Sequence, residues 1–208
     1  ELAPNSVRAS DAALVPTTAL LLHNDALMLR HRCLLLGWEF APRLPPPLGR
    51  PYPEAYEAAT LSQRASFVEM APELGKLAAR MLQRVLVAVR SQLIVELTPG
   101  RGFVRVGEDA DAAAAASMVS RRLSHKLHQQ ARVWADTLSA EVCAPLLAEA
   151  IEGLATELTR TVFELRHISE ADCAALQRKL LLPVLNASCE VLRAADARLA
   201  EPPYPAET

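Results

Sequence analysis

Apolar residues recur every three or four positions through long, glycine-poor stretches of this chain. That spacing leaves few options other than helices packed side by side. Only 7 glycines occur in 208 residues. Leu22, Ala26, Leu29, Cys33, Leu36 and Phe40 step along one stripe, with Leu21, Met28 and Leu35 beside it. Further on, Leu82, Leu86, Val89, Leu93 and Leu97 mark one seam, and Leu74, Ala78, Met81, Val85 and Ala88 mark a second on the same helix. Two seams predict contact with two neighbours, as inside a bundle. A third helix, from about 111 to 138, has Val119, Leu123, Leu127, Gln130, Trp134 and Leu138 on its inner side. The pattern resumes with Val142, Leu146, Ala150, Leu154 and Leu158. Cys173, Leu176, Leu180, Val184, Ala187 and Val191 then hold one phase straight through Pro183, which predicts a single bent helix. The fold class expected is all-α, an elongated antiparallel helical bundle.

Prolines and caps divide the chain. Pro16-Thr17-Thr18 reads as the opening of the first helix, leaving residues 1–16 as a loose segment. Pro42, Pro45, Pro46, Pro47, Pro51 and Pro53 exclude a helix and predict an extended connector over 41–65. A polyproline ligand for a partner domain is the alternative use of such a segment. Pro72 suits the first turn of the second helix. Thr98-Pro99-Gly100-Arg101-Gly102 ends that helix and begins an acidic loop over 99–111. Pro145 predicts a kink or short break. Ser169, followed by Glu170 and Asp172, predicts a capped helix start. The helical domain thus covers 17–200, with an extended tail over 201–208. The abrupt ends read as those of a piece of a longer protein.

Composition removes several functions. Net charge is −2, so no global field attracts nucleic acid or acidic lipid. Aromatics are 4%, too few for base-stacking platforms. No apolar run approaches the ~20 residues of a membrane span, and no signal peptide is visible, so neither direct membrane insertion nor secretion is expected. The cysteines Cys33, Cys143, Cys173 and Cys189 form no CxxC pair, and they predict free, buried thiols in a cytoplasmic setting.

Chemistry-bearing residues are sparse. Arg121, His125, His128 and Arg132 lie almost opposite the inner side of the third helix and are candidate contacts for a negatively charged protein partner. His125 and His128 are three apart on one face, the spacing of two metal ligands, which keeps a helical metal protein or enzyme open as the alternative. Their cationic neighbours and the lack of a third ligand argue for a solvated face. His31 and Cys33, two apart on a helix, point to different sides and form no nucleophile pair. No nucleophile elbow, phosphate loop or dinucleotide fingerprint occurs. No catalytic residue, metal or cofactor is expected.

The order of several short elements resembles the C-terminal region of the Zeste-White-ten family. These are His23-Asn24, His31 and Leu36-Gly37, then Phe67 to Pro72, then Val133-Trp134 with Asp136 and Leu138, and finally an uninterrupted helical stretch to Ile168-Ser169 and Asp172. The resemblance covers roughly residues 17–182. It implies a rod-like, non-enzymatic subunit of a multisubunit tether. Such subunits act on the endoplasmic reticulum in Golgi-to-ER vesicle capture with SNAREs, and at kinetochores in the Rod–Zwilch spindle-checkpoint complex. It further implies that this region docks a large α-solenoid subunit of the NAG or Rod kind. The proline-rich connector is longer than the family pattern. Helical tethers of the exocyst or oligomeric Golgi complex type share the same physics and are the neighbouring alternative.

Overall fold

The computed structural model describes residues 11–40, 67–97, 103–165 and 167–200. These residues form helices and turns, with no strand among them, and the fold is an all-α helical bundle. Helix α1 spans Asp11–Phe40, α2 Met70–Leu97, α3 Ala110–Thr137 and α4 Ala140–Phe163. Helix α5, Glu170–Leu176, continues through a π-helical turn, Gln177–Leu181, into α6, Leu182–Ala200. The connector over 41–65, the segment 98–102 and the tail over 201–208 lie outside the described residues. The chain divides into two compact units, Glu1–Val85 and Leu86–Thr208, and the division falls inside α2.

In the first unit the buried positions of α1 are Ala19, Leu20, His23 and Ala26. The stripe expected from spacing is met only in part: Ala26 is buried and Cys33 and Leu36 are half-buried. Leu22 and Leu29 are each 49% exposed, and Leu21, Met28 and Leu35 are exposed as well. Helix α1 is apolar on every side, so periodicity alone selects no inner face. A polar bond helps fix the face that is buried: the His23 imidazole Nδ1 lies 3.0 Å from the carbonyl of Ala78 on α2. Helix α1 also begins at Asp11, so Pro16 lies within it rather than at its start. Pro72 is the third residue of α2, where no helical N–H partner is lost.

In the second unit α3, α4 and α6 run up, down and up. Gly107 meets Asp172 and Ala135 meets Arg198, at separations of 65 and 63 residues, so α3 and the α5–α6 rod lie parallel and in register. Helix α4 returns between their ends. The inner positions of α3 are Val119, Leu123, Leu127 and Trp134, followed by Leu138, all buried as expected; Gln130 is half-buried. Leu176, Leu180, Val184, Ala187, Val191 and Ala195 line the rod's inner side. Cys173, expected to join them, is exposed, and Asp172 is buried beside it.

The prolines are accommodated differently. Helix α3 ends at its cap residue Leu138, as expected, and the short break expected at Pro145 does not occur: Pro145 sits within the second turn of α4. Restarting the helix at Ala140 leaves only one backbone bond to lose, the one Pro145 would have donated to Glu141. After Leu138 the helix runs without a break from Ala140 to Phe163, a few residues short of the expected end at Ile168. At Pro183 the rod does not break. The π turn, whose end is marked by Leu182 N–H bonding to the Gln177 carbonyl, absorbs the missing donor and keeps the rod continuous.

The segment before α3 is anchored rather than solvated. Phe103 and Val106 are each 2% exposed. Arg105 has φ of 57°, a left-handed turn that reverses the chain so that its carbonyl accepts from the N–H groups of Glu108 and Asp109. Asp109 then caps α3, its side chain accepting from Asp111 N–H at 2.9 Å.

Candidate functional site

Two open grooves flank α6 in the second unit. The larger, about 450 Å³, lies between the C-terminal half of α4 and the π turn. It is apolar: Leu158, Val162, Phe163, Leu181 and Leu185 line it, with Phe163 84% exposed. The smaller, about 330 Å³, lies where α3, the first turns of α4 and the end of α6 come together. Charged groups collect there.

The floor of the smaller groove is made of small residues. Ala131 and Ala135 of α3 face Ala194 and Ala195 of α6 across it. Four methyl groups cannot fill the space between two parallel helices, so the groove stays open. Arg198 reaches over from α6, and its Nη2 donates to the Ala135 carbonyl at 2.8 Å. This satisfies one of the carbonyls left free at the end of α3 and places a cation against the negative end of that helix. Arg132 lines the same groove, exposed and without an ion-pair partner among the described residues. At the far end His128 Nε2 lies 3.3 Å from Glu190, and its Nδ1 lies 2.8 Å from the Ser124 carbonyl.

Cys143 also borders this groove, so a thiol, an imidazole and a carboxylate gather in one place. That trio is the raw material of nucleophilic catalysis, but the arrangement does not support it. Both nitrogens of His128 are engaged elsewhere. Cys143 is 1% exposed, and burial pushes its thiol up, opposed only by the nearby Arg198. A thiol held protonated beside an occupied imidazole is a poor nucleophile. Among the described residues no three His, Cys, Asp or Glu side chains are placed to hold a metal ion.

Of the sequence candidates, His128 and Arg132 meet in the groove, whereas Arg121 and His125 stand apart from it, exposed on α3. The other named positions are scattered. His23 and Trp134 are buried, His31 and Asp136 are exposed, Asn24 is half-buried, and Gly37 lies within α1. Arg198 and Glu190 were missed, because they come from a helix more than 60 residues away and carry no local signal. Lys126, one of the cationic neighbours of His125, and Arg122 form a triad with Glu96 at 2.9 and 3.6 Å, and chiefly the Lys126 bond holds the Glu96 carboxyl below its ordinary range.

A second built contact closes the other end of the α3–α6 pair. Gly107 N–H donates to Asp172 Oδ1 at 2.7 Å, and Asp172 Oδ2 accepts from the Ser169 hydroxyl at 2.9 Å. Ser169 caps this helix start as expected, and Asp172 makes the cap reciprocal by accepting from the Ser169 N–H. The Gly107 bond, then the Ser169 hydroxyl, hold the Asp172 carboxyl below its usual value. A side chain at Gly107 would have its Cβ 2.4 Å from the Ala171 backbone, so only glycine permits this approach.

No helix among the described residues is long and apolar enough to cross a membrane. No family model matches the chain. It is similar to the centromere/kinetochore protein zw10 homolog of Mus musculus, 24% identical over 158 residues, and to that of Rattus norvegicus, 23% identical. In each case the match covers 76% of this chain and 19% of the relative's length. The similarity to the zw10 homologs is thus distant and spans about a fifth of their length.

Proposed function

We propose that this chain is a non-enzymatic segment of a zw10-like subunit that works within a multisubunit tethering or kinetochore complex. The observation that carries this reading is the similarity to zw10 homologs across 76% of the chain, on an all-α bundle. Its mechanism is positional. Helices buried along one side hold their outer faces at fixed spacing, and a few exposed anchors on those faces supply binding energy. The finer setting is Golgi-to-ER vesicle tethering with SNAREs, kinetochore assembly with Rod and Zwilch, or both. Docking onto a large α-solenoid subunit of the NAG or Rod kind is the contact proposed for this region. Both settings are cytoplasmic, with the protein peripheral on the endoplasmic reticulum or on mitotic kinetochores.

Co-purification from cells tests this. The tagged chain is expected to retain a large helical solenoid subunit under mild salt. Recovery of no such subunit from interphase or mitotic extracts overturns the docking reading. Turnover of a metabolite that disappears on replacing His128 would overturn the non-enzymatic one.

A further inference from the structure

We infer that the alanine-floored groove between α3 and α6 receives an acidic helix of the docked partner, with one carboxylate held by Arg132 and Arg198. This rests on the docking reading above and names its contact.

Charge is what selects the occupant. Arg132 has no ion-pair partner among the described residues, and Arg198 bonds only through Nη2, to a carbonyl. A guanidinium carries five N–H donors in a planar fork, so the two retain most of their capacity. They face the same groove, Arg198 at the end where the carbonyls of α3 terminate and Arg132 about one turn further in. A carboxylate arriving there takes up donors that are already paired only in part. The floor between them is methyl groups, which accept the stem or a small apolar neighbour of that acid. The opposite end of the groove carries a carboxylate beside the His128 imidazole, 3.3 Å away. Glu190 stands there, two turns before Arg198 on α6, or about 12 Å at 1.5 Å per residue. The groove therefore reads polarity as well as charge. A partner helix presenting Asp or Glu at one point and Lys or Arg two turns away matches it in one direction only. An extended polyanion such as nucleic acid would meet Glu190 and is disfavoured by it.

The test uses the full chain and the full-length solenoid subunit, with binding measured by interferometry. Arg132→Glu reverses an unpartnered charge. Ala194→Phe fills the groove from an exposed position. Arg121→Glu, on the same helix but outside the groove, is the control. Each of the two groove variants is expected to weaken binding by roughly tenfold or more while melting like the parent, and Arg121→Glu by less than about twofold. Binding of the parent should also fall steeply with added salt. Unchanged affinity in both groove variants overturns the inference and leaves the docking reading standing. No binding by the parent chain overturns the docking reading, and the inference with it. Self-association of the parent in sedimentation, lost in Arg132→Glu, would make a second copy the occupant and equally overturn it.

Discussion

The parallel pair formed by α3 and the α5–α6 rod is closed at one end and open at the other. At the closed end a glycine lets two backbones approach until Gly107 N–H donates to Asp172 at 2.7 Å. At the open end alanines face each other and leave about 330 Å³ unfilled. Both ends use small residues, with opposite results. A missing Cβ permits contact where a polar bond draws the backbones together. At the open end the bond across, from Arg198 to the Ala135 carbonyl, comes from a long side chain that spans the gap, and the alanines beneath leave it unfilled beside Arg132 and Arg198. Tight closure belongs to stability, and the open end is free to serve a partner.

This contrast can be broken from either side. Leu127, 2% exposed, lies on the inner side of α3 between the two ends. Leu127→Asp buries an unpaired carboxylate and is expected to cost about 4 kcal/mol, enough to loosen both ends together in chemical denaturation. Gly107→Ala attacks the closed end alone. The obstruction is backbone, which cannot swing aside, so a loss of about 3 kcal/mol is expected. A variant as stable as the parent would mean the closed end is not closed.

Asp172→Ala removes the returning half of the cap and the Gly107 bond, and its effect should be smaller than that of Gly107→Ala. It should also change the acid limb. The folded-state pKa of Asp172 is lowered from an ordinary value of 3.8. Its contribution is therefore complete above that value and is lost as pH falls through the lowered one. Acid unfolding of the parent below about pH 4 should be steeper than that of Asp172→Ala, read by circular dichroism against pH.

Gly153→Ala sharpens the comparison of obstructions. A Cβ there would come within 2.6 Å of Arg90 Nε, a side chain that can move. Arg90 would give up its 2.7 Å bond to the Glu149 carbonyl, while α4 gains helix propensity. The two effects are each about 1 kcal/mol and of opposite sign, so the melting temperature should hardly shift. At the open end Arg132→Glu should change stability by less than about 0.5 kcal/mol.

How much of this is legible in the sequence varies with local contrast. On α3 the residues opposite Leu123 and Leu127 are charged, and the inner side follows from spacing alone. On α1 leucines occur on every side, so the buried set Leu20, His23 and Ala26 cannot be separated from the exposed Leu22 and Leu29. Ser169 and Asp172 announce a helix start because capping is local. The same logic cannot find Gly107, whose role depends on a backbone 65 residues away. The arginine groove is half legible: Arg132 stands out on its helix, but nothing near Arg198 says that it will arrive beside Ala135. The spacing through Pro183 predicts a continuous helix, which is found; a short break at Pro145 is predicted but the helix runs through it, because a proline this close to a helix start removes little.

The π turn at Gln177–Leu181 holds one residue more than the α-helical turn it replaces. Deleting one residue between 177 and 181 would let the coil rewind to ordinary pitch with the downstream faces nearly unmoved. Val184, Ala187 and Val191 would stay inward and Arg198 would keep its seat over the alanines, whereas one deletion within α6 would turn every later side chain by about 100°. A single-residue deletion should thus be tolerated better in these five positions than in the helix that follows.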